Sequence, residues 1–284
     1  MKNRFALLGP FAFLVLSLGA VSAWAQLTVN TPRALGMGNA FIAVSDDEGA
    51  VLANPAGLAL IRDGRVAVGS LGLTNQEEHW YTGYILPSSL RTVQGTALYF
   101  SKTTNNVANT RNDRTTWSAG QYYAQGVAVG LSLSFLRASD DNAGTEDKAF
   151  GVDLGVLYAL PASPGKESPG TIGVLIQNPN QPRLLGVKQP QVLSIGVATH
   201  LMPGLLVAAD SYNIFDEAGA PQERSVGVEF EPVRGIALRG GYMTEAGVFT
   251  LGAGLRGQSF NLDAAWASED GGEDTGYVGM GFLF

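Results

Sequence analysis

From Gly64 to the C-terminus, apolar and polar residues alternate with a period of two in one segment after another. Along Lys148–Leu160 one face carries Phe150, Val152, Leu154, Val156, Tyr158 and Leu160. The other face carries Ala149, Gly151, Asp153, Gly155 and Ala159, with Leu157 the exception. Val127, Val129, Leu131, Leu133 and Phe135 repeat the stripe, opposed by Ala128, Gly130, Ser132 and Ser134. Leu193, Ile195 and Val197 do so again, opposed by Ser194, Gly196 and Ala198. Such alternation is the mark of a strand between two different environments. Fourteen segments of this kind are legible, at about 64–73, 79–86, 93–102, 114–123, 126–137, 148–160, 170–178, 191–202, 205–213, 224–231, 235–244, 247–257, 259–268 and 275–284. Strands of a sandwich usually run about 5–6 residues, whereas a strand crossing a bilayer obliquely needs about 9–11. The pattern therefore predicts an all-β fold, a transmembrane antiparallel β-barrel of about 14 strands. The alternation is least clean in the first four segments.

The connections differ between the two ends. Odd-numbered hairpins read as longer, polar or acidic loops: TTNNVANTRND, ASDDNAGTED and EDGGED. Even-numbered ones are often tight, as at Ala124-Gln125, Pro203-Gly204 and Gly257-Gln258, although PASPGKESP is not short. Short periplasmic turns and longer outer loops are the rule for bacterial outer-membrane barrels. The last strand puts Val278, Met280, Phe282 and Phe284 on one face. A terminal Phe on such a strand is similar to the signal read by the barrel-assembly machinery, so Phe284 is the candidate assembly signal.

Ahead of the strands, Thr31–Asp63 has a different texture: TPRALGMGNAFIAVSDDEGAVLANPAGLALIRD. Ser45 and Glu48 have capping-box spacing, which predicts a helix starting at Asp46 with Asp46 and Asp47 in its first turn. Asn54-Pro55 ends that helix and starts another turn, with Asn54 as cap and Pro55 at the first helical position. Gly36, Gly38 and Gly57 let the backbone pass close to something else. A small, backbone-rich segment before many strands suits a plug packed inside a barrel.

The ordered run RALGMGNAF, SDDEGAV, NPAGLA resembles the N-terminal segment of the FadL-type outer-membrane superfamily, and within it the PorV/PorQ-like, type IX secretion-associated branch. IGVLIQNPNQP, LLVAAD and GVEFEPVRGIALRGGY extend the resemblance more weakly over most of the chain. Gly36, Met37, Gly38, Asp46, Asp47, Asn54, Pro55, Ala56 and Gly57 carry over as plug positions, in a structural role only. The FadL-type resemblance implies passive transport of hydrophobic small molecules. The PorV-like one implies a secretion accessory or structural barrel that binds protein partners. Brief outer loops with little apolar surface depart from the fatty-acid transporters, so no ligand residue carries over.

Composition fits this reading. Lys2 and Arg4, the apolar Phe5–Leu18 and Ala23-Trp24-Ala25 read as a secretory signal cleaved after Ala25. That gives a signal over 1–25, a plug over 26–63 and an outer-membrane barrel over 64–284. Loss of Lys2 and Arg4 takes the formal charge from −7 to −9, the wrong sign for a nucleic-acid partner. With no cysteine, there are no disulfides, thiolate metal sites or lipid-anchored thiol. Glycine is frequent (37 of 284) and charge low (15 %), as suits a chain with much surface facing lipid.

Chemistry is sparse. GAGLRG within Leu251–Gln258 spells a dinucleotide-loop pattern, but a strand follows where that loop needs a helix. His79 and His200 are the two histidines, and no serine, histidine and acid group together, so neither catalysis nor a cofactor is expected. The acid pairs Asp140-Asp141, Glu146-Asp147, Glu269-Asp270 and Glu273-Asp274 lack calcium-loop spacing and read as solvated outer loops. No metal site is expected. Asp153, Asp210, Glu229, Arg239, Arg256 and Asp263 fall on lumen-facing phases. They either line a polar passage or bond the plug's buried amides and carbonyls, and the many inward Gly and Ala favour the second. The expected partners are outer-membrane lipid, the assembly machinery, and either a hydrophobic small molecule or secretion-system proteins.

Overall fold

The computed structural model describes residues 31–71, 77–87, 93–161, 169–269 and 274–284. The signal segment Met1–Ala25 lies outside them, as do Asp270 and Glu273 of the outer acid pairs. The strands are β1 (Arg65–Leu71), β2 (Glu77–Pro87), β3 (Gly95–Asn105), β4 (Thr110–Ala124), β5 (Val127–Asp140), β6 (Thr145–Ala159), β7 (Thr171–Gln177), β8 (Arg183–Leu184), β9 (Val187–Lys188), β10 (Val192–Met202), β11 (Leu205–Tyr212), β12 (Glu223–Val233), β13 (Ile236–Met243), β14 (Val248–Arg256), β15 (Phe260–Glu269) and β16 (Thr275–Leu283). Fourteen of them form one closed antiparallel barrel. Sequence neighbours pair throughout, except that β7 pairs with β10 across the small β8–β9 ladder. The ring closes through β1 and β16, from Arg65 opposite Leu283 to Leu71 opposite Tyr277. Closure removes every unpaired edge, which is what allows strands to sit in hydrocarbon.

The alternation seen in the sequence is the wall's inside and outside. Phe150, Leu154, Val156 and Tyr158 point out and are exposed, while Asp153 and Leu157 point in and are buried. The same holds for Trp117 and Phe135 against Ser118 and Ser134, and for Ile195 and Val197 against Ser194. Large apolar side chains are exposed right round the ring, from Val68 and Tyr84 through Val226 and Leu238 to Leu262 and Met280. A soluble monomer rarely shows an apolar patch beyond a few hundred Å², so this continuous band is a lipid-facing surface.

The connections correct one expectation. TTNNVANTRND and ASDDNAGTED are mostly ladder: β3 to β4 and β5 to β6 turn through residues 106–109 and 141–144 alone. Side chains close these turns, Asn105 Oδ1 accepting from the Val107 and Ala108 amides and Asp140 Oδ1 from Asn142 and Ala143. The paired strands thus zip past the apolar band rather than opening into loops. Longer connections remain at 178–191, which lies against β5 and β6, and at 213–222.

At mid-wall, Leu154 faces out. Leu154→Arg should cost about 2–4 kcal/mol, as for a cation at the bilayer midplane. Reversible urea unfolding in lipid vesicles measures it, and an unchanged midpoint would contradict the outward assignment.

Candidate functional site

Residues 31–63 pack within the ring. The segment holds three short turns, α1 (Pro32–Gly36), α2 (Ala50–Ala53) and a 3-10 turn over Pro55–Ala59. Thr31 caps α1 with Pro32 at its first position, and Asn54 caps the 3-10 turn by accepting from the Ala56 amide. The capping box does not form. Gly49 precedes α2, which starts at Ala50, and Asp47 Oδ1 accepts the Gly49 amide at 2.8 Å. Ser45 takes a left-handed φ of 30° and donates instead to the Phe41 carbonyl at 2.8 Å. Asp46 and Asp47 are drawn out of any first turn by ion pairs with Arg33. A four-residue helix is marginal alone, and buried charge pairing outweighs it.

The segment follows the inner wall in one sweep. Pro32 lies against β16 and Gly36 against β14, the Met37 carbonyl meets Gly227 of β12 and the Gly38 amide meets Gly241 of β13. The Ile42 carbonyl meets Gly173 of β7, Asn54 meets Gly155 of β6, Ala56 meets Gly130 of β5, and the Leu58 carbonyl meets Gly95 of β3. At each of these wall glycines a Cβ would overlap the plug backbone or Asn54. Gly57 fills the same role within the plug, where a Cβ would run into the Ser45 carbonyl. Gly38 has φ +62° and stacks against the Tyr242 amide, a position closed to other residues twice over.

Between the glycines, wall side chains satisfy the plug's backbone. Asp210 Oδ2 accepts from the Phe41 and Ile42 amides at 2.6 and 2.8 Å. Thr250 accepts from Gly38 at 3.0 Å and donates to the Gly36 carbonyl at 3.3 Å. Tyr212 donates to the Asn39 carbonyl at 2.8 Å. Asn54 Nδ2 donates to Ile42 within the plug and to Val156 on the wall, both at 3.0 Å.

One flank of the plug is ionic. Arg33 grips Glu229 with two bonds, Nε to Oε2 at 2.8 Å and Nη2 to Oε1 at 2.9 Å, and lies over the Phe41 ring. Glu229 also takes Arg239 Nε at 2.6 Å and Arg256 at 3.3 Å, and Arg239 reaches Asp263 at 2.6 Å. Glu48 lies 3.9 Å from Arg65 and 3.5 Å from the Asn261 amide. The cluster sets Arg33, Arg65, Arg239 and Arg256 against Asp46, Asp47, Glu48, Glu229 and Asp263, four cations to five acids. Burial raises the Glu48 carboxyl to about 7, with Asp47 adding to the rise. The adjoining flank is apolar: Val51, Leu58 and Ile61 pack with Tyr81, Ile85 and Tyr99 of β2 and β3.

Of the lumen-phase charges, Asp210 and Glu229 touch the plug directly, Arg239, Arg256 and Asp263 join through the Glu229 cluster, and Arg256 is partly exposed. Asp153 stands apart. It takes Arg114 at 2.9 Å and the Asn178 amide at 3.1 Å beside a polar cavity of about 10 Å³, room for one water. His79 is buried against Thr103, and His200 is exposed at a strand end. Glu146 pairs with Arg137 and Lys148, and Asp147 accepts the Leu185 amide. Phe284 stacks on Tyr84 and pairs its backbone with Gly64 at the closing seam. Arg33, Glu48, Thr250 and Tyr212 were not legible as site residues beforehand. The signal for Arg33 was its being the sole cation between Thr31 and Ile61, facing three consecutive acids in a segment expected to be buried.

An apolar outer band, a closed ring and a lumen filled by the N-terminal segment define a plugged transmembrane β-barrel. The fold has solved counterparts. It is similar to the Ralstonia pickettii toluene transporter TbuX (15 % identity, 90 % of this chain and 98 % of that one, TM-score 0.64). It is similar to the monoaromatic hydrocarbon channel CymD (13 %, 91 % and 98 %, 0.67) and to a Pseudomonas aeruginosa FadL homologue (11 %, 89 % and 97 %, 0.57). No family model and no curated protein matches the sequence. The likeness is one of fold, shared with hydrocarbon channels and a FadL homologue.

Two outcomes test the ionic flank. Arg33→Met leaves buried acids without their cation, a loss of about 3–5 kcal/mol for a broken buried pair. Proteolysis or hydrogen exchange should find residues 31–63 opened while the barrel keeps its heat-modifiable migration. The second outcome is pH dependence. A carboxyl raised from 4.5 to about 7 when seated favours the seated state fully below pH 4.5, and the contribution is lost as pH rises through 7. Plug protection should therefore fall between pH 5 and pH 8, and Glu48→Gln should make that profile shallower.

Proposed function

We propose that this chain is a passive outer-membrane conduit for small hydrophobic molecules, held shut by its own N-terminal segment. The observation that carries the reading is the whole-length likeness of a plugged fourteen-strand barrel to proteins described as toluene and monoaromatic hydrocarbon channels. The two-sided seat supports it. An apolar solute gains nothing from the Arg33–Glu229 flank, where charges are already paired in a buried site. Along the other flank it meets Val51, Leu58, Tyr81 and Tyr99, and can replace their mutual contacts with its own at little cost. Passage therefore follows the plug's apolar side against β2–β3, while ions and water are excluded by the seated segment. The secretion-accessory alternative has no comparable support, since none of the structures named above is described as one.

Uptake decides the matter. Cells lacking other hydrocarbon channels should accumulate radiolabelled toluene several-fold faster with this protein than without it, and Val51→Trp, which overfills the apolar flank, should reduce the gain. Deletion of Leu27–Arg62 should convert near-zero planar-bilayer conductance into stable open steps. Toluene entry equal to that of empty cells would overturn the transport reading. A deletion that assembles but stays closed to ions would remove the plug from it.

A further inference from the structure

The outer face of β3–β6 carries a feature that neither the plug nor the lumen explains. Register aligns the outward residues of these strands in rows. Phe100, Thr115, Phe135 and Phe150 are direct cross-strand partners in sequence. One row further out are Lys102, Asp113, Arg137 and Lys148, and above these Thr104, Arg111, Ser139 and Glu146. Four strands about 4.8 Å apart make the charged row about 14 Å wide.

Its height follows from the stripe on β5. From Val127 to Arg137 is ten residues, about 34 Å along the strand and about 26 Å along the normal at a tilt near 40°. The apolar band of such barrels is about 25 Å tall and edged by aromatics. Phe135 and Phe150 are thus the outer aromatic edge, and Lys102, Arg137 and Lys148 stand at the level of the outer headgroups. Arg137 and Lys148 share one acid, Glu146, at 2.7 and 3.3 Å. In these two outward rows the count is Lys102, Arg111, Arg137 and Lys148 against Asp113 and Glu146, a net +2 in a chain of −7. Glu78, across Thr104 on β2, bounds the patch, and Trp80 flanks Lys102. At the outer end of β12, Arg224 is paired with Glu245 at 2.8 Å.

We propose that this rim of β3–β6 is a docking site for the phosphate groups of an outer-leaflet glycolipid, a phosphorylated lipid A, whose acyl chains lie on Phe100, Phe135 and Phe150. The cations hold phosphate in charge-assisted bonds, and the aromatic row supplies the apolar floor beneath. Glu146 keeps Arg137 and Lys148 side by side, so that one phosphate can take both.

The test uses the folded full-length barrel in detergent, with bisphosphorylated lipid A as probe, read by native mass spectrometry and by titration. Lysine and arginine near an anionic lipid surface each contribute roughly a fivefold step in affinity. Lys102→Gln, Arg137→Gln and Lys148→Gln together should weaken binding on the order of a hundredfold, and the swap K102R/R137K/K148R should retain it. Lipid A stripped of both phosphates should bind wild type and the Gln variant alike and weakly. Millimolar inorganic phosphate should leave wild-type binding in place, because the acyl floor is part of the site, and raised salt should weaken it. Heat-modifiable migration confirms that each variant is folded. If the triple variant fails to fold, Arg137→Gln alone, at a half-exposed side chain, should show the single fivefold step. Equal lipid A affinity in wild type and Gln variant, wild-type affinity for the stripped lipid as high as for the bisphosphorylated one, or full displacement by free phosphate would each overturn the proposal.

Discussion

The inside of this barrel has to accept irregular backbone. More than half of the plug lies outside its three short turns, and a buried peptide group left unpaired costs on the order of a lost hydrogen bond or more. The wall is written to meet that demand. Where a plug carbonyl or amide needs a partner, the facing strand carries Asp210, Thr250 or Tyr212. Where the plug backbone itself touches the wall, the facing residue is glycine, as at Gly130, Gly173 and Gly227. Inward positions that look featureless in composition are therefore matched to particular atoms of the segment that precedes the barrel.

Charge then fixes which way the segment sits. Arg33 binds Glu229 through both oxygens and holds Asp47 on its other nitrogen. Turning the plug by one strand would separate these partners and leave Glu229, Arg239 and Asp263 without Arg33 in a buried site. Buried ion pairs are weak evidence for stability, because desolvation offsets most of their attraction. They are strong against wrong arrangements, since an unpaired buried charge is the costlier state. Glu48, held by Arg65 at 3.9 Å and raised by burial, adds pH sensitivity to the seat.

The wall was legible in the sequence because its signal is local: lipid on one side and plug on the other impose alternation within each strand, as in Val127–Phe135 and Lys148–Leu160. All fourteen barrel strands come from that one rule. The outer loops misled because turn-forming residues such as Asn105, Asn109 and Asp140 also stand in or beside the ladder, where pairing continues almost to the tip. The capping box misled for a related reason. Ser45 and Glu48 have the right spacing, but Glu48's partners Arg65 and Asn261, and Arg33, which takes Asp46 and Asp47, are outside any local window. Arg33 and Glu229 lie 196 residues apart, and no pattern of neighbours announces such a pair. Lumen-facing charge was visible as a phase; what each charge holds was not.

The asymmetry of the seat bears on how a sealed barrel can pass anything. Displacing the plug on its ionic flank would strand Glu229 or Arg33 in a low-dielectric lumen, and an apolar solute offers neither a replacement. Displacing it on the β2–β3 flank parts Val51, Leu58 and Ile61 from Tyr81, Ile85 and Tyr99, and the loss is ordinary hydrophobic contact, about 25 cal/mol per Å² of apolar surface. A hydrophobic guest entering that gap covers the surface it uncovers, so the net cost nearly vanishes for such a guest and stays in full for water or an ion. In the proposed conduit the same flank would be a seal toward polar solutes and a yielding contact toward apolar ones, while the ionic flank would keep the segment tethered in register.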